Sequence, residues 1–166
     1  MKDFLEKIDL NRVGKYLLFA LLVLLAQNMV LSHIRPLGVC PLILPAAAVA
    51  VGMFEGGTWG PLLCLLMGYF ADMSFVENRV FFLLLLPGLS LFAAFMAQFF
   101  VNRRFFAFMG LCVPALLVTA LLQMLKIAAG DAWSTQLLFV GAVQTLWSLP
   151  FSAPVYFLPA RWARTR

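Results

Sequence analysis

"TWGPLLCLLMGYFADMSF", residues 58–75, decides what kind of chain this is. It reads as membrane-type apolar text and runs into an aspartate, Asp72, with no basic residue closer than Arg79. Pro61 falls in the expected first helical turn, where its missing N–H costs nothing. Gly60, Cys64, Gly68 and Asp72 then recur every four residues. Residues four apart are neighbours on one helix face. Each step turns about 400°, so the stripe drifts by only about 40° and stays contiguous. The segment is therefore a helix carrying a groove of small residues that closes on one acid. Such faces let helix backbones approach in lipid, where van der Waals contact replaces the hydrophobic effect.

The rest of the chain is written in the same way. Its 166 residues are 64% hydrophobic and only 11% charged, with a mean hydropathy of +0.98. A water-soluble domain is roughly half apolar and a quarter charged. The composition is that of an integral membrane protein whose single domain lies almost wholly in the bilayer. The net charge of +5 then serves topology and anionic lipid rather than nucleic acid. Cys40, Cys64 and Cys112 lie in apolar runs and form no C-x-x-C, so no disulfide framework or metal spacing is expected. His33 stands alone just past the first apolar run, which suits interfacial solvation better than ligation.

Outward from residues 58–75, five more helices are expected. Residues 1–15 are a charged cytoplasmic leader, either solvated or forming a short amphipathic helix through Phe4, Leu5 and Ile8. The first span covers about 16–32. It resembles a signal peptide, but no A-x-A site follows, so it is expected to stay uncleaved. A turn with Pro36 and Gly38 leads to a second helix at 40–54, and "EGG" (55–57) hinges it to the third. The second and third are short: about 14 residues rise roughly 21 Å, against a hydrocarbon core of about 30 Å. They either cross a thinned bilayer or form a re-entrant hairpin. The second offers Ala46, Ala47, Ala48, Ala50 and Gly52 as a surface matching the small-residue groove. The two are expected to form a tight pair at the centre of the bundle. Spans at 80–101, 105–128 and 135–158 follow, with 159–166 as a cytoplasmic tail. Pro87 with Gly88, and Pro150 with Pro154, are expected to bend their helices.

Charge sets the orientation. Alternating the loops puts Lys2, Lys7, Arg12, Lys15, Arg103, Arg104, Arg161, Arg164 and Arg166 on one side and only Arg35, Arg79 and Lys126 on the other. The positive-inside rule places both termini in the cytoplasm.

Enzyme chemistry has no foothold. There is no G-x-S-x-G, no second histidine and no phosphate-binding glycine loop. Glu55, Asp72 and Asp131 are carboxylates without a nucleophile or an orienting partner, so no catalysis, cofactor or metal is expected. Asp72 itself has three readings: a ligand or proton site, a packing or partner contact, or the wet end of a helix. A helix C-terminus carries partial negative charge, so the acid is not there for its own helix. No second titratable group shares its stripe, which favours packing or partner contact. Gln27, Asn28, Gln98, Thr119, Gln123, Gln144, Thr145 and Ser148 interrupt the other spans. Facing inward they join helices by hydrogen bonds, or else they line a small cavity.

Gly68, Tyr69 and Asp72 in "LLMGYFADMSF", with the proline-broken "SLPFSAPVYFLPARW" (148–162), resemble the rod shape-determining protein MreD family. That resemblance implies a non-enzymatic bacterial plasma-membrane subunit of the cell-elongation machinery. Such a subunit binds the bitopic protein MreC and supports cell-shape control and peptidoglycan synthesis. "EGGTWGP" (55–61) is also similar to the S components of energy-coupling-factor transporters, which have six spans and capture a vitamin-sized ligand. Either resemblance implies an all-α, six-helix transmembrane bundle of S-component type with a short central helix pair. Short outer loops and the absent enzyme signatures favour the MreD reading. Gly60, Cys64, Gly68, Tyr69, Asp72 and Arg79 are the candidate partner or packing residues.

Overall fold

The computed structural model of the chain describes residues 10–31, 33–34, 39–56, 59–74, 80–99, 105–130 and 135–164. All regular structure among them is helical. α1 (Leu10–Leu25) continues as a π-helical stretch over Ala26–Leu31; α2 (Leu44–Glu55), α3 (Trp59–Ser74), α4 (Phe81–Phe99), α5 (Phe105–Gly130) and α6 (Thr135–Arg164) follow. Three stretches, Gly14–Leu31, Phe81–Gln98 and Phe105–Leu125, are long and apolar enough to cross a membrane. Leucines, valines and phenylalanines such as Leu21, Leu84, Phe95 and Phe106 stand exposed along these helices, an outer surface suited to hydrocarbon rather than water.

α2 is the axis of the molecule. Every residue from Leu44 to Phe54 is buried, and Ala46, Ala47, Ala48 and Ala50 have no exposed surface at all. A helix apolar on all sides belongs in a core, and its small side chains leave room for neighbours on every side. α3, α4, α5 and α6 all pack on it, with a lesser contact from α1. Its start is later than position 40 because residues 39–43 are not helical. Pro45, in the first turn, is the proline that opens the helix, not Pro41.

The expected central pair resolves into one central helix and one peripheral helix. α3 buries Gly60, Cys64, Met67, Gly68 and Ala71 but exposes Leu62, Leu65, Leu66, Tyr69 and Phe70. Its most extensive contact is with α4 rather than α2. The large residues on its outer face stay exposed, flanked only by a limited contact with α1.

The two chain ends differ from the expected leader and tail. α1 already begins at Leu10, and α6 runs through Pro150, Pro154 and Pro159 to Arg164. The last turn of α6 is drawn into place by Trp162. Its indole lies edge-on to Tyr16 at 5.5 Å and to Phe19 at 6.3 Å between ring centroids. Aromatic edge contacts of this kind add about 0.5–1.5 kcal/mol beyond area burial. They also bring the start of α1 and the end of α6 to the same end of the bundle. Residues 1–9 lie outside the described residues.

Candidate functional site

The stripe on α3 meets a complementary stripe on α4. Phe82, Leu86, Ser90 and Ala94 are buried at four-residue spacing, the same period as Gly60, Cys64, Gly68 and Asp72, and the two helices run antiparallel. A Cβ built on Gly68 would lie 2.5 Å from the Phe82 carbonyl oxygen and 2.9 Å from Leu83 Cα. One on Gly60 would lie 3.0 Å from Ser90 Oγ and 3.3 Å from Gly52 Cα. One on Gly52 would clash with the Ser90 carbonyl oxygen. Three helix backbones therefore converge at Gly52, Gly60 and Ser90; a Cβ at Gly52 would collide with backbone, and one at Gly60 would crowd the Ser90 hydroxyl. Cys64 directs its thiol at the Ala48 carbonyl oxygen, 3.9 Å away. The Ser90 hydroxyl lies beside that thiol, and its oxygen is the one buried side-chain atom without a conventional hydrogen-bond partner among the described residues. A serine is small enough to enter this junction.

Asp72 closes the stripe. Its Oδ1 accepts the Phe82 backbone N–H at 2.9 Å and its Oδ2 accepts that of Leu83 at 2.8 Å. These amides belong to the first turn of α4, whose leading N–H groups have no partner inside the helix. The N-terminal end of a helix also attracts negative charge. The carboxylate thus sits badly for α3 and well for α4, which it caps from outside. Val80, the residue entering α4, has φ +67°, a left-handed conformation that β-branched residues rarely adopt.

A second polar junction holds the non-helical lead into α2. Gln27, on the π-helical stretch, donates its Nε2 to the Pro41 carbonyl at 3.0 Å and accepts the Ile43 N–H on Oε1 at 2.9 Å. Ser148 Oγ on α6 accepts the Leu42 N–H at 2.8 Å. Backbone without helical hydrogen bonds is tolerated at membrane depth only when protein groups satisfy it, and these two side chains do so. π-helical turns are rare and frequently lie at functional sites; this one carries Gln27.

Among the described residues, two apolar grooves and one small cavity stand out. A groove of about 370 Å³ lies between α1 and α3, along Tyr16, Leu24, Leu66 and Phe70. Another, of about 450 Å³, lies between α4 and α5, along Phe81, Leu84, Gly88, Val118 and Leu122. Nothing approaches within 4 Å of a Cβ placed on Gly88, so a foreign backbone has access there. The small cavity lies between the lead into α2, α5 and α6 and is lined by both polar and apolar side chains. Among the described residues no group of three or more His, Cys, Asp and Glu could hold a metal.

Of the residues singled out in the sequence, Gly60, Cys64, Gly68 and Asp72 come together, and α4 of the same chain fills their groove. Tyr69 faces the other way, exposed and edge-on to Phe70 at 5.8 Å. Arg79 lies outside the described residues. Ser90 escaped notice; its signal is its place in the 82–86–90–94 spacing opposite the α3 stripe.

Compared with known proteins, the chain matches no family model, no curated protein and no solved structure.

Proposed function

We propose that the chain is a multi-pass bacterial plasma-membrane protein without enzymatic activity. In this reading it acts as an MreD-like subunit of the cell-elongation machinery and docks the transmembrane helix of an MreC-like bitopic partner. Both termini lie in the cytoplasm, in keeping with the nine-to-three distribution of Lys and Arg.

The supporting observation is the α4–α5 groove. The α3 stripe is consumed within the chain, so the opposite side of α4 is where a partner helix finds an open small residue. Gly88 lies at the floor of that groove, exposed, between Leu84 and Leu89 on α4 and Val118 and Leu122 on α5. Lipid-embedded helices associate through such sites, where a glycine lets two backbones approach. The groove is lined almost wholly by apolar side chains, which suits a helix better than a polar metabolite.

The alternative is an S component that captures a vitamin-sized ligand. Its support is the polar cluster of Gln27, Thr119, Gln123, Gln144, Thr145 and Ser148 on α1, α5 and α6. That cluster is spent largely on backbone groups of the chain itself, and its cavity is water-sized. Ligand sites normally run to about 300–1,000 Å³.

Co-purification with the MreC-like protein of the same genome tests the first reading. Gly88→Trp should abolish it while leaving the purified protein as heat-stable as the parent. A vitamin at about a thousand times its Kd stabilises its binder by about 4 kcal/mol. A large thermal shift with one vitamin, together with no co-purification, would establish the alternative.

A further inference from the structure

The small cavity has the polar side chains of Thr119, Gln123, Gln144, Thr145 and Ser148 on its walls beside the apolar Leu42, Leu116 and Ala120. It leaves about 10 Å³ for the centre of a guest, the lower limit for one water molecule. The hydroxyl hydrogens around it are already committed. Thr119 Oγ1 donates to the Ala115 carbonyl at 2.7 Å and Thr145 Oγ1 to the Gly141 carbonyl at 2.8 Å. Ser148 Oγ donates to the Gln144 carbonyl at 2.6 Å while accepting from Leu42. A hydroxyl has one hydrogen and two lone pairs, so Thr119 and Thr145 confront the void as acceptors only. Both side chains are buried.

Two hydroxyl acceptors beside one void can receive both hydrogens of a single small donor. The volume admits a molecule with a single heavy atom. Ammonium is of that size, but no carboxylate lines the cavity, and an unpaired buried cation is far costlier than a neutral guest. We propose that one ordered water occupies this cavity. It donates to Thr119 Oγ1 and Thr145 Oγ1 and accepts from the side-chain amide of Gln123 or Gln144. Three hydrogen bonds are what a buried water usually makes. The water joins α5 and α6 by hydrogen bonds beside the Ser148 contact that holds the lead into α2. The inference does not depend on which partner the protein has.

The test is an experimental structure of the whole protein at a resolution that shows ordered water, beside one of the Thr119→Val/Thr145→Val variant. Valine keeps the shape of threonine and removes the acceptor. The expected result is one density peak within about 2.7–3.2 Å of both threonine oxygens, absent from the variant. A dry cavity in the parent would overturn the proposal. So would a Gln123 or Gln144 amide turned inward to donate to both threonines, or a peak that survives in the variant. If the variant does not fold, the parent's density alone decides.

Discussion

Asp72, on the last turn of α3, accepts the backbone N–H of Phe82 in the first turn of α4 at 2.9 Å. The acid that ends the small-residue stripe is therefore a cap for the next helix, joined through its second oxygen to Leu83 as well. Stripe and cap act together: Gly68 brings the two backbones close, and Asp72 satisfies the amides that this approach shuts away from solvent.

Removing the cap is expected to cost stability in a graded way. Leaving a buried donor unsatisfied costs about 1–3 kcal/mol. Asp72→Leu orphans two partly buried donors, so it should lose at least that much. Asp72→Asn keeps one acceptor oxygen and should fall between Leu and the parent. Unfolding in detergent measures both. An Asp72→Leu protein as stable as the parent would mean that water serves these amides equally well.

The glycines separate by position rather than by type. Gly68→Leu must displace backbone on α4, and overpacking of this kind costs about 1–3 kcal/mol; Gly52→Leu collides with the Ser90 carbonyl and should do the same. Gly88→Ala meets nothing within 4 Å and should leave stability unchanged or raise it by about 0.5–1 kcal/mol through helix propensity. Equal thermal midpoints for Gly68→Leu and Gly88→Ala would refute the α3–α4 packing.

How far the sequence alone reaches is clear from these residues. The period of four at Gly60, Cys64, Gly68 and Asp72 gave the buried face of α3, because close helix contact needs small residues at helical spacing. It did not give the identity of the neighbour. Adjacency through "EGG" suggested α2, whereas α4 folds back along the same stripe and takes the larger share. Periodicity is a property of one helix; the choice of partner depends on loop geometry and on every competing face. The same limit hid the C-terminal end of α6. Pro150 and Pro154 argued for a bend and the helix was expected to end near 158, whereas it runs past Pro159 to Arg164, where Trp162 meets Tyr16 and Phe19, some 140 positions away in the chain. Gln27 and Ser148 were legible as polar joints, but nothing local showed that they hold backbone rather than each other.

Relief of the turn before α4 should be measurable. A left-handed conformation costs a residue with a Cβ about 1–2 kcal/mol, and Val80 adopts one. Val80→Gly removes that cost and adds unfolded-state entropy worth somewhat less. The net expectation is a gain of up to about 1 kcal/mol, read as a higher midpoint in detergent. A loss of stability would show that the Val80 side chain contributes more by packing than its backbone costs.

The lead into α2 should loosen when its clasps are removed. Gln27→Leu frees one carbonyl and one N–H, and Ser148→Ala frees one N–H, each group costing about 1–3 kcal/mol if left unsatisfied. Gln27→Leu should be the more severe. Amide hydrogen exchange offers a local readout: Ile43 should lose protection in the first variant and Leu42 in the second. Unchanged exchange at both amides would show that other groups secure residues 41–43.

Partner docking in the α4–α5 groove is the central claim, and a crosslink at its floor tests it most directly. A photoreactive amino acid placed at Gly88, activated in living cells, should yield one adduct with a bitopic protein of MreC type. The same probe at Leu65, on the exposed outer face of α3, should give none. Adducts to lipid alone from position 88, or an MreC-type adduct from position 65 and none from 88, would contradict the account.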